Sequence, residues 1–197
     1  MKRMTFRLLG LAILLPMFVA SSAQAQGKLR GMARLGLEAG GDKVIEFQYE
    51  DGSTPDVTAG GGLLLSGGAA LQLAPILDAQ VNVGFKYRTI PAATNQDATW
   101  MRFPVEALLF FRAPNGVRVG GGTTVHLANT LKASGGVLNS KMDFKNKPGF
   151  LLQAEYVARS VSFDVRYTIM DYEVERGGSG TISANSIGVG VSYLFGR

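Results

Sequence analysis

After residue 26 the chain divides into eight runs in which apolar and polar residues alternate one by one, joined by connections that are alternately very short and long. Alternation with a period of two sets one face of an extended strand against an apolar medium and the other against a polar one. Eight such runs with a short-long rhythm predict an all-β chain, an eight-stranded antiparallel up-and-down barrel that spans a membrane.

The runs are predicted as Leu29 to Ala39, Val57 to Ala74, Ala79 to Arg88, Thr99 to Arg112, Val117 to Leu127, Gly149 to Ala158, Val161 to Ile169 and Thr181 to Phe195. The third is the clearest, with Val81, Val83, Phe85 and Tyr87 alternating with Gln80, Asn82, Gly84, Lys86 and Arg88. Gly40-Gly41 reads as a bulge after the first run, and Val44 to Tyr49 as an extension reaching a turn at Asp51 to Pro55. Pro75 to Asp78, Ala113 to Gly116 and Arg159 supply the short turns, whereas the longest connection, Ala128 to Lys147, is polar and rich in Lys, Ser, Gly and Asn. Pro104 removes a ladder donor from the fourth run and predicts a local bulge. The three short turns share one end with both chain termini, an asymmetry that in membrane barrels puts turns in the periplasm and long loops outside the cell.

The N-terminus predicts the compartment. Lys2, Arg3 and Arg7 precede an apolar stretch from Leu8 to Ala20, and Ala23-Gln24-Ala25 has the small-x-small pattern of a secretory signal. Residues 1–25 are read as a cleaved signal peptide and 26–197 as the barrel domain. The apolar stretch is shorter than the roughly 20 residues that span a bilayer as a helix, and no later segment is long and apolar enough, so a membrane would have to be crossed by strands. The signal holds three of the 20 Lys and Arg and none of the 15 acids, leaving 17 against 15, or +2, for the remainder. So small a surplus gives no clustered basic face for a nucleic acid. With no cysteine, disulfides and thiol nucleophiles are excluded.

Alternation does not say which face points inward, and a soluble lipocalin-like barrel would enclose an apolar cavity. Two features favour the membrane arrangement. The polar faces carry Gly62, Gly68, Gly84, Gly120, Gly122, Gly188 and Gly190, which suit a narrow interior. Aromatic residues gather near strand ends, with Phe110, Phe111, Tyr156, Tyr193 and Phe195 at the turn end and Tyr87, Trp100, Phe150 and Tyr172 at the other, as interfacial girdles would.

With that architecture, and with the final strand Gly188-Val189-Gly190-Val191-Ser192-Tyr193-Leu194-Phe195, the chain resembles the small outer-membrane β-barrel superfamily that includes the OmpA barrel domain and OmpX-like and OmpW-like proteins. The resemblance implies outer-membrane lipid and lipopolysaccharide as surroundings, a monomer, and assembly by the barrel-assembly machinery, for which Tyr193 and Phe195 look like the signal. Gly196 and Arg197 follow the last aromatic, which departs from the usual pattern.

An eight-stranded barrel is filled by its own side chains, so a general pore is not expected. Arg34, Glu38, Lys86, Arg88, Arg102, Glu106, Arg118, Glu155, Asp164 and Arg166 are placed in the lumen as a mutually paired network. Glu106→Ala is then expected to destabilise the barrel by leaving an interior Arg unpaired; an unchanged unfolding midpoint would count against the lumen assignment. His126 is the lone histidine. Some eight-stranded outer-membrane barrels deacylate lipid A with a His followed two positions later by a nucleophilic Ser, but Ala128 stands at that place here, and His126 has lumen parity. No catalytic or metal-binding residue and no cofactor is assigned. In the longest loop Lys132, Lys141, Lys145 and Lys147 outnumber Asp143 and are candidates for contact with lipopolysaccharide phosphates. Glu46, Glu50, Asp51 and Asp56 make the first hairpin acidic without calcium-loop spacing, and its edges are candidates for an extracellular partner. The expectation is a non-enzymatic outer-membrane barrel with a structural or loop-mediated adhesive role. The alternatives are an OmpW-like conduit for small hydrophobic molecules, hinted at by Leu64 on the lumen parity, a lipid-modifying enzyme, and a soluble lipocalin-like binder.

Overall fold

The structure is a computed structural model that describes residues 28–46, 56–92, 96–134, 140–145, 147–174 and 180–196. The expected signal segment, and Glu50 and Asp51 of the acidic hairpin, lie outside the described residues. The alternating runs form strands because β-branched, Leu and aromatic side chains on one face and small or polar ones on the other suit a pleated ribbon with two unlike surroundings. In order the strands are β1 (Leu29–Ala39), β2 (Lys43–Glu46), β3 (Asp56–Thr58), β4 (Gly62–Ala74), β5 (Leu77–Ala92), β6 (Gln96–Arg112), β7 (Val117–Ser134), β8 (Ser140–Lys145), β9 (Pro148–Ala158), β10 (Val161–Ile169), β11 (Asp171–Val174), β12 (Thr181–Ser183) and β13 (Ser186–Phe195).

Eight of them, β1, β4, β5, β6, β7, β9, β10 and β13, pair antiparallel each with the next. Strand β13 returns to β1 in continuous register from Gly31 opposite Phe195 to Ala39 opposite Ile187, which closes the barrel and leaves no free edge. The short turns fall at Pro75–Ile76, Ala113–Gly116 and Arg159–Ser160, at the same end as Lys28 and Gly196.

The outward face is apolar around the circumference: Leu37, Leu65, Val83, Leu109, Val119, Leu152, Phe163, Val189 and others are all exposed. The inward face is polar, and the contrast is sharp within one strand, where Phe163 is 58% and Arg166 2% exposed. A continuous bulky apolar belt of this kind requires lipid as its solvent. The chain is therefore a transmembrane β-barrel, and its polar lumen rules out the apolar cavity of a soluble lipocalin-like binder.

The longest connection is shorter than its composition suggests. Strand β7 runs on to Ser134 and β8 folds back on it, with Thr130 opposite Asp143 and Ala133 opposite Ser140. The alternation breaks at residue 128 because the β6–β7 register slips there, from Phe103 opposite Leu127 to Met101 opposite Thr130, with Ala128 at φ 46°. A one-residue bulge inverts side-chain parity, so the strand looks finished to a periodicity argument. The irregularity expected from Pro104 thus sits on the facing strand; on the β5 side no pairs form between Val83–Val105 and Lys86–Arg102. The expected second run also divides. Val57 belongs to the β2–β3 hairpin, and Ala59 to Gly61 lie between it and β4.

The aromatic girdles need correction. Phe111, Tyr156, Tyr193, Phe195 and Phe150 do point outward, but Phe110, Trp100 and Tyr172 are buried in the interior. Trp100 and Phe110 share the even parity of Arg102 and Glu106 on β6, so their inward direction follows from the strand itself.

Candidate functional site: the filled lumen and its capped mouth

Nine of the ten side chains expected in the lumen are buried there, Arg34, Glu38, Lys86, Arg102, Glu106, Arg118, Glu155, Asp164 and Arg166, while Arg88 is half-buried beside Gly61 near the loop end. Arg166 is the hub. Its Nη1 lies 2.9 Å from Glu106 and 3.3 Å from Glu38, and its Nη2 and Nε donate to Gln153 at 2.7 and 3.1 Å. Glu38 also accepts from Lys86 at 2.6 Å and from the Ser186 hydroxyl at 3.0 Å, and Glu106 accepts from Asn82 at 3.0 Å. Gln153 donates to Glu155 at 2.6 Å; Glu155 pairs with Arg118, and Arg118 reaches Asp78 at 3.1 Å.

Beside this chain Arg34 grips Asp164 through Nε and Nη2, the latter at 2.7 Å. The pair spans β1 and β10 past the intervening strand β13, and does so over Gly190, where an added Cβ would come within 2.3 Å of Asp164 Oδ2 and 2.4 Å of Arg34 Nη2. The inward glycines are thus the space in which long charged side chains meet. Sequence reasoning missed Asp78, Gln80, Asn82, Gln153 and Ser186 as members. All but Ser186 share strand parity with a named member, so alternation alone could have recovered them.

The loop end is covered from within. The carbonyls of Ala59 and Gly61 accept from Arg102, and that of Gly60 accepts from Lys86 Nζ at 2.6 Å, so two lumen cations hold this short segment across the mouth. Gly60 is needed there: a Cβ would lie 2.6 to 2.9 Å from the carbonyl oxygens of Asn185, Ala184 and Gly40. Outside it an apolar cluster of Val57, Ala59, Ala98, Trp100, Leu131, Phe144, Met170, Tyr172 and Ala184 fills the extension built from β6, β7, β8 and β11. Trp100 stacks on Phe144 with centroids 5.2 Å apart, carries Arg102 4.7 Å from its ring and donates to Asn129. Leu64, the hint of an apolar conduit, is buried against this filled interior.

His126 is buried where the polar network meets this cap, its Nδ1 2.5 Å from the Tyr172 hydroxyl. Ala128 occupies the bulge, and its exposed side chain offers no nucleophile. A phenol-bonded imidazole inside the barrel has no path to a lipid outside it, because the wall between them is a closed sheet.

The loop lysines do not form a bare positive patch. Glu173 is paired by Lys147 at 2.5 Å and Lys145 at 3.2 Å, and Lys141 lies 3.0 Å from Asp143; Lys132 stands directly opposite Lys141, so the four lysines outnumber these two carboxylates by two. The hydrogen bond from Lys147, then that from Lys145, holds the Glu173 carboxyl below its ordinary value. A lowered carboxyl pKa means these contacts are present above the unfolded value and are lost as pH falls through the folded one. The Glu173 carboxyl carbon should therefore titrate by NMR at lower pH than a free glutamate, and Lys147→Gln should move it upward; a normal midpoint in the unsubstituted protein would refute the pairing. In the acidic hairpin Glu46 sits opposite Asp56 in the ladder.

No protein-family model matches the sequence, and no curated protein is significantly similar to it. Solved structures do match. Ail, the attachment invasion locus protein of Yersinia pestis, superposes with a TM-score of 0.56 at 12% identity, covering 86% of this chain and 99% of Ail. The fold is that of the small eight-stranded outer-membrane barrels. A second Ail structure, in complex with the heparin analogue sucrose octasulfate, gives 0.52 at 14% identity over 86% of this chain and 99% of Ail. Neisserial surface protein A gives 0.48 at 16% identity over 85% of this chain and 97% of its own.

Proposed function

We propose that the protein is a non-enzymatic integral outer-membrane protein, exported through a cleaved signal at residues 1–25, whose monomeric barrel anchors a loop end with a structural or adhesive role. The observation that carries this reading is the continuous lumen network from Asp78 to Glu38, closed above by the Ala59–Gly61 segment. In this reading the network plugs the lumen, and its charges are each other's counter-ions. The lumen side chains are thus assigned a structural role, and Tyr193 and Phe195, both exposed at the turn end, the role of assembly signal. Of the loop lysines Lys132 is the best placed for lipopolysaccharide phosphates, with Lys141 engaged by Asp143 and Lys145 and Lys147 by Glu173. The adhesive part draws on the likeness of fold to Ail, carried over as a proposal.

The test has two parts. In planar bilayers the protein should give no steady conductance, and sustained open channels would overturn the plugged reading. In fractionated cells the mature chain should stay in the outer membrane through high-salt and alkaline washes; release into the periplasm would overturn the localisation.

A further inference from the structure

Most cations of the lumen meet carboxylates or carbonyls, but at the turn end Lys28, Arg30 and Arg159 form no ion pair with any described residue. Arg30 has inward parity on β1, and the charged groups bearing on it are Arg112, Arg118 and Asp78. Asp78 is already shared by Arg112 at 2.6 Å and Arg118 at 3.1 Å, and Glu155 is held by Arg118. The Nε of Arg112 is buried with no acceptor.

These side chains surround open space. A cavity of about 270 Å³ is lined by Arg30, Arg112, Arg118 and Arg159 with the Ala113–Gly116 turn, and it shares Arg30, Arg112 and Arg159 with a wider recess of about 590 Å³ that adds Lys28, Gln72 and Ser160. Like charges converging on one space with a single shared carboxylate repel one another unless an anion sits among them. We propose that the turn end of the barrel is a phosphate-binding site in which Arg30, Arg112 and Arg159 converge on a phosphoryl group borne by a small soluble anion or by a lipid headgroup. Phosphate fits better than carboxylate, because one guanidinium saturates a carboxylate by a bidentate contact, whereas a phosphoryl group offers acceptors to several at once.

The experiment uses the membrane-extracted protein in neutral detergent at low ionic strength, titrated calorimetrically with pyrophosphate. Saturable binding is expected, weakened by added salt and by about tenfold for each guanidinium removed in Arg30→Gln and Arg159→Gln, taking one charge-assisted contact per arginine. Neither arginine belongs to the lumen network, so the thermal midpoint should hold. Glycerophosphoglycerol identifies the source: competition at similar concentration points to a lipid headgroup, and failure to compete points to a soluble phosphomonoester or diphosphate. Absence of saturable pyrophosphate binding, or equal affinity in the Arg30→Gln/Arg159→Gln protein, would overturn the site.

Discussion

Replacing Arg166 with Met should lower the unfolding free energy of the barrel by about 3–5 kcal/mol, the usual consequence of removing one partner from buried ion pairs. Arg166 bridges Glu106, Glu38 and Gln153. Without it Glu106 keeps only its contact with Asn82, while Glu38 retains Lys86 and Ser186. Glu106→Ala should cost less, since Arg166 would still hold Glu38 and Gln153. The pair should also be non-additive: Arg166→Met with Glu106→Gln is expected to cost less than the sum of the single changes, because the second removes the charge that the first leaves stranded. Denaturant unfolding in lipid vesicles measures these variants, with Glu106→Gln alone completing the cycle. An unchanged midpoint for Arg166→Met would mean that the lumen is wet enough to solvate both carboxylates, and the plug would then not be a plug.

Gly122→Val should abolish folding of the barrel or cost about 3 kcal/mol or more, at the upper end of overpacking effects. A Cβ at Gly122 would lie 1.9 Å from the carbonyl oxygen of Ala107 and 2.7 Å from Leu108 Cα, both backbone of β6, so no rotamer change relieves the clash. Gly120, two residues earlier on the same face, meets the Leu109 carbonyl at 2.2 Å and the Phe110 ring at 2.7 Å. These glycines form the shelf on which Leu108 and Phe110 lie against Leu151. Folding yield, read from the fast-migrating band in unheated SDS gels, should collapse for Gly122→Val and stay normal for Gly180→Ala, where nothing lies within 4 Å. Equal yields would show that β6 and β7 can part without loss.

The strand count, the antiparallel order, the turn end and the inward or outward direction of most side chains were legible in the sequence. Each follows from a local rule, a period of two interrupted by Pro, Gly and Asn. The errors also have local causes. The bulge at Ala128 reversed parity and hid the end of β7, and aromatic content alone took Trp100, Tyr172 and Phe110 for girdle residues when the parity of β6 already turned two of them inward. Asp78 was read as part of a turn and is in fact the acid shared by Arg112 and Arg118.

What alternation could never supply is the choice of partners. It places Arg34 and Asp164 on inner faces, but their bond joins positions 130 residues apart on strands that are not neighbours. That meeting depends on the tilt and stagger with which eight strands close, a property of the ring as a whole. The same holds for the Ala59–Gly61 segment across the mouth, the His126–Tyr172 contact and the unpaired arginines at the turn end. The sequence by itself determined a polar inside, an apolar outside and the strands that separate them, because those are properties of each residue and its immediate neighbours. Only the closed barrel decided which charges cancel and which are left over, because Coulomb energy is set by distance in space.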